Sequence, residues 1–196
     1  GGWFQTNLAA EMASQLDQLG LKLDAPTVHV SSVGRARSAA FLITAYEGGR
    51  LHLADLAMDA MGYDTNTRDR LIAGAAIPEE IYQAALGFRQ EFSDIIDVLF
   101  DNYDVLIAPA TYGPAPRIAH PFVPMGTSEQ PARANLGLYT QPISFLGLPV
   151  VAVPLPVTGL PMGIQLIGRK GSDRSLLNYA AKLEAERVVV AKSPIT

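Results

Sequence analysis

The sequence has no cysteine among its 196 residues. That excludes disulfides, thiolate zinc sites, iron–sulfur clusters and a cysteine nucleophile together. Lysine is scarce: there are four, Lys22, Lys170, Lys182 and Lys192, with none between positions 22 and 170. With 15 Lys and Arg against 19 Asp and Glu, the net charge is −4. Nothing here could neutralise a run of phosphates, so neither nucleic acid nor an anionic membrane is an expected partner. No apolar run approaches the roughly 18–20 residues of a membrane helix. No charged-then-apolar leader opens the chain. The expectation is a soluble, cytoplasmic protein. Apolar residues make up 48% and charged residues 17%, which suits a folded domain with a sizeable core.

Several catalytic signatures are missing as well. There is no Gly-rich phosphate loop ending in Gly-Lys-Ser/Thr and no Gly-x-Ser-x-Gly elbow. His29, His52 and His120 are scattered, without an i, i+4 pair, so no metal or cofactor is expected. Ser31-Ser32-Val33-Gly34 is the one serine pair near a glycine. With no base near it in sequence, it reads as a turn capping a helix. The chain enters at Gly1-Gly2-Trp3-Phe4. A glycine pair before aromatics normally follows an element, so an upstream segment is expected.

What is present has a clear order. Leu8, Met12, Leu16 and Leu19 mark an amphipathic helix from Thr6 that Gly20 should end. Val28-His29-Val30 reads as a short strand. Residues 35–58 read as helix, with Gly48-Gly49 an interruption, and Thr67–Ala73 as a short helix stopped by Gly74. Pro78-Glu79-Glu80 is a strong helix start, and apolar spacing continues from Ile81 through Leu99. Asp104–Ala108 is a buried-strand candidate ended by Pro109. From Thr111 to Arg133 there is no periodicity but there are five prolines, the mark of a long functional loop. Leu148–Pro156 and Pro161–Arg169 read as two strands of a hairpin. Ser172 or Asp173 should cap a last helix. The pattern implies an α/β fold with a mixed β-sheet core flanked by helices.

Arg68 and Arg70 flank Asp69. Residues two apart on a helix face different ways, so one can point inward while the other is solvated. An inward arginine needs an anion, and a carboxylate held by both oxygens is a natural one. A structural salt bridge is an equal reading of the same residues.

Four strings then stand in a fixed order. They are Phe100–Thr111 (FDNYDVLIAPAT), Thr140–Pro149 (TQPISFLGLP), Val151–Pro154 (VAVP) and Gly159–Gly168 (GLPMGIQLIG). Together they resemble the C-terminal region of the amidase-signature family, with a looser likeness over residues 35–100. Asn135–Phe145 and Thr67–Ala75 look most like the branch that hydrolyses carboxylated ureas and biurets. Allophanate hydrolases and the A subunits of tRNA-dependent amidotransferases are its relatives.

The resemblance implies a triad of a nucleophilic serine, a bridging serine in a cis peptide and a neutral lysine as ultimate base. A desolvated lysine can lose its proton near neutral pH, and the bridging hydroxyl relays the proton. Backbone N–H groups hold the oxyanion. The family carries these residues in a Gly-Ser-rich signature that has no match here, so no catalytic residue is assigned. The whole chain, 1–196, is expected to be the C-terminal segment of one amidase domain, inactive alone. Its expected partners are a small amide substrate, the N-terminal half of the same enzyme, a second copy and a small accessory subunit. By resemblance Arg68 or Arg70 meets the substrate carboxylate, Arg68 being preferred. Asn135, Tyr139, Thr140 and Gln141 line the pocket. Ser144 stands where the family commonly has Asn, which shortens or removes any bond that amide makes. Two alternatives are a non-catalytic amidase half serving as a scaffold and an amidotransferase-like protein.

Overall fold

The computed structural model describes residues 8–190. The described residues divide into two compact units, one formed by residues 8–31 with 96–190 and the other by residues 32–95. The architecture is α/β, as expected from the sequence.

The first unit is built on a three-stranded sheet of β1 (Val105–Pro109), β4 (Val150–Pro154) and β5 (Gly163–Gly168) in the order β1-β5-β4. The expected hairpin is present: β4 pairs with β5 antiparallel, Ala152 opposite Gln165. β1 pairs with the other edge of β5, Ala108 opposite Gln165. Every strand pair among the described residues is antiparallel, so the parallel partner of a mixed sheet is not among them. One face of β5 turns Ile164 and Leu166 into a core with Met12 and Leu19 of α1 (Ala10–Leu23) and Leu176 and Leu183 of α8 (Asp173–Ala185).

Three local expectations are corrected. Thr6 lies outside the described residues, and α1 does not stop at Gly20 but runs to Leu23. Asp24 takes the left-handed residue after the helix (φ 50°), and the Ala25 N–H closes on the Gly20 carbonyl. The left-handed position that glycine usually fills is held by an aspartate, one of the few other residues that tolerates it. Val28-His29-Val30 forms no ladder. The loop from Thr111 to Arg133 contains a two-stranded hairpin, β2 (Phe122–Met125) with β3 (Ser128–Pro131), turning at Gly126 with φ 65°. β3 is exposed throughout, so no apolar alternation announces it.

The second unit is helical: α2 (Val33–Leu51), α3 (Leu53–Asp59), a 3-10 turn at Ala60–Gly62, α4 (Thr65–Ala75) and the start of α5 (Glu79–Phe100). Gly48 and Gly49 do not interrupt α2, and Gly74 does not stop α4. They are where the two helices cross. A Cβ on Gly49 would sit 2.6 Å from the Gly74 carbonyl carbon and 2.7 Å from the Leu71 oxygen. A Cβ on Gly74 would overlap the Ala45 carbonyl. Helix backbones approach this closely only where side chains are absent.

α2 and α5 are joined by a polar clasp. The rings of Tyr46 and Tyr82 stack with centroids 4.2 Å apart. Tyr46 donates to Glu79 at 2.6 Å and Tyr82 to Glu47 at 2.8 Å. These bonds are the leading cause that raises both phenols above their ordinary value, and the Tyr46 bond is the leading cause that holds the Glu79 carboxyl below its own.

Gly49→Ala or Gly74→Ala in the complete protein should cost roughly 1–3 kcal/mol, the range for forced overpacking, read as a lowered melting temperature. A variant as stable as the parent would show that the helices can part freely. The clasp also sets a pH dependence. Raised phenol values and a lowered Glu79 value mean that its contribution is whole between the ordinary carboxyl range and about pH 10. It is lost as pH rises through the folded-state phenol values, and the Glu79 share is lost as pH falls through that carboxyl's folded-state value. Thermal denaturation above pH 10 should therefore show a stability decline that Tyr46→Phe and Tyr82→Phe make shallower.

Candidate functional site

The segment 132–146 is two single-turn helices, α6 (Ala132–Asn135) and α7 (Gln141–Ser144), joined by a tight turn. Pro142, in the first turn of α7, has no N–H to leave unpaired. The Gln141 N–H reaches the Gly137 carbonyl at 2.9 Å, and the Gln141 side chain folds over Gly137. A Cβ at 137 would lie 2.7 Å from the Gln141 Cδ, so a larger residue there would turn the Gln141 side chain aside. Leu138, Tyr139, Pro142, Ile143, Phe145 and Leu146 are buried. Asn135, Thr140 and Gln141 are half-buried.

The sequence-predicted residues of this segment thus differ in kind. Asn135 donates from Nδ2 to the Pro131 carbonyl at 3.1 Å. The Thr140 carbonyl accepts from the Ser144 N–H at 2.9 Å. Tyr139 is fully buried, and burial, with Tyr112 as a lesser cause, pushes its phenol far above the ordinary value. It stays neutral at any working pH and anchors the segment. Ser144 turns its hydroxyl to the Gln141 carbonyl at 3.3 Å, a bond within its own turn.

Arg68 and Arg70 belong to the helical unit. Asp64 caps α4 by accepting from the Thr67 N–H at 3.1 Å. The helix therefore begins two residues before the expected Thr67. The Arg68 side chain is 19% exposed, and its Nε donates to Asp69 at 3.0 Å. Its Nη1 donates to the Met61 sulfur at 3.2 Å. Arg70 is exposed, its guanidinium carbon 6.0 Å from the Phe41 ring centre. Arg68 is the more shielded of the two.

The histidines do not assemble. His29 is exposed, His52 meets the Tyr63 hydroxyl at 3.1 Å, and His120 meets Glu129 at 3.0 Å. Among the described residues no three potential metal ligands gather. Ser32 lies at the start of α2 with φ 63°, and its side chain makes no cap bond.

The sequence reading did not single out Gln165. It is 3% exposed, and its Nε2 donates to the Pro109 carbonyl at 2.8 Å and to the Tyr139 carbonyl at 3.1 Å. The signal was there: one amide inside the apolar strand Gly-Ile-Gln-Leu-Ile-Gly. A buried polar group of this kind must have partners.

The family model described as Amidase matches residues 6–177. The AtzE subunit of 1-carboxybiuret hydrolase from Pseudomonas sp. strain ADP is 40% identical over 190 residues, 94% of this chain and 41% of that protein. The glutamyl-tRNA(Gln) amidotransferase A subunit of Zymomonas mobilis is 32% identical over 156 residues, 76% of this chain and 30% of that protein. The chain thus spans well under half of either relative. A solved vestigial protein complex bearing on the origins of an s-triazine catabolic enzyme superposes with a TM-score of 0.89. It is 36% identical, over 98% of this chain and 43% of that one. Allophanate hydrolase of Kluyveromyces lactis, at 19% identity and a TM-score of 0.70, shares the fold. With most of its length matched by the family model and these relatives alongside it, the chain belongs to the amidase-signature family.

Proposed function

We propose that this chain is the C-terminal, substrate-side portion of a larger amidohydrolase that cleaves a C–N bond of a small carboxylated urea or biuret and releases ammonia. The observation that carries this reading is the 40% identity, over 94% of the chain, to a 1-carboxybiuret hydrolase. The Ser–cis-Ser–Lys triad belongs, in this proposal, to the upstream part of the complete protein. The acyl group passes to the serine as ammonia leaves, and water then releases the acid. A second copy of the chain and a small accessory subunit are the partners proposed for the complete enzyme.

Arg68 is assigned the substrate carboxylate. A guanidinium carries five N–H donors, and Asp69 and Met61 engage two of those on Arg68. Its partial burial strengthens a charged hydrogen bond relative to one in water. Arg70 is exposed beside Phe41, a ring it shares with Arg37. Asn135, Thr140 and Gln141 are assigned polar contacts with the urea amides, and Tyr139 anchors them from below.

In the complete protein, Arg68→Ala should remove about 2 kcal/mol of binding, the scale of a charged hydrogen bond. KM for 1-carboxybiuret then rises roughly 30-fold, while the melting temperature stays near that of the parent. An unchanged KM removes Arg68 from the site. If the complete protein releases ammonia from glutamine and none from 1-carboxybiuret, an amidotransferase-type activity replaces this reading. The 32% identity to the Zymomonas amidotransferase protein is what favours that second possibility.

A further inference from the structure

We propose that Gln165 is a positioning residue: its buried amide sets the orientation of the Asn135–Gln141 segment. This rests on the reading above that the segment contacts substrate. No other amide or charged side chain among the described residues is buried. Its backbone is held from both sides, by Ala108 of β1 and Ala152 of β4. From that fixed base Nε2 donates to Pro109 O at 2.8 Å and Tyr139 O at 3.1 Å. An amide nitrogen has two protons, and each has an acceptor here. The orientation of the amide is therefore determined, because a flip would set its oxygen against two carbonyls.

The bond to Tyr139 does something that its buried ring does not. Packing holds the ring by shape and leaves the direction of the peptide group open. The Tyr139 carbonyl and the Thr140 N–H share one rigid plane. Fixing the carbonyl fixes that plane, and with it where Thr140 and Gln141 begin. The same amide ties this plane to Pro109, the last residue of β1. The candidate contacts are thereby referenced to the sheet.

The test compares Gln165→Met, Gln165→Asn and Arg68→Ala in the complete enzyme, with 1-carboxybiuret as substrate. Gln165→Met keeps the volume and removes both donors. KM should rise about tenfold with kcat within about twofold of the parent, because the segment holds ground state and transition state alike. Gln165→Asn keeps the amide on a shorter arm and should give a smaller rise. It also carries the comparison if the Met variant does not fold. Faster amide hydrogen exchange confined to residues 136–146 supports the same role. A lowered melting temperature with KM unchanged, measured well below unfolding, makes Gln165 a purely structural residue and overturns the proposal. If Arg68→Ala raises KM and the Gln165 variants do not, the positioning role alone fails. If none of the three changes KM, the reading of the site fails with it.

Discussion

Strand β5 has no free side, and the sheet unit depends on that. β1 occupies one of its edges and β4 the other, and five of its six residues are buried. Ile164 and Leu166 face α1 and α8. The opposite face carries Ile167 and Gln165. An amide buried without partners would cost roughly 1–3 kcal/mol. With both protons bonded it is tolerated, and it draws two distant carbonyls, 56 and 26 residues away in sequence, to a single point.

In the helical unit the governing constraint is the missing side chains where α2 and α4 cross. Gly49 and Gly74 let the backbones touch near Ala45 and Leu71. Glycine inside a helix costs up to about 1 kcal/mol in propensity relative to alanine. Here that cost is offset by close packing. The crossing sets the position of α4, and α4 carries Arg68 and Arg70. The partial burial of Arg68, which Arg70 lacks, accompanies the Met61 and Asp69 contacts around it.

Arg68 and the 132–146 segment differ in how they are held. Arg68 reaches out on a long side chain whose bonds are to a neighbour in sequence and to a sulfur. Asn135, Thr140 and Gln141 sit on short turns stitched by backbone hydrogen bonds and weighted down by buried Leu138, Tyr139 and Ile143. Neutral hydrogen-bonding groups need a fixed frame, since their bonds weaken steeply when misaligned.

The sequence alone determined the α/β class, the long helix after Pro78, the strands around Val105, Val150 and Gly163, and the family. Each of these rests on local spacing or on strings short enough to read along the chain. It misjudged Gly48, Gly49 and Gly74 as breaks, because a glycine that ends a helix and one that lets two helices meet look alike until the partner helix is in place; Gly20 was misjudged because Asp24 takes the left-handed position beyond it. It passed over the β2–β3 hairpin, where a wholly exposed strand shows no alternation. It placed Tyr139 among the pocket-lining residues, although that side chain is entirely enclosed. It quoted Gln165 without a role. Only the tertiary structure decided these, because burial and the convergence of carbonyls far apart in sequence are properties of the packed chain and leave no local pattern.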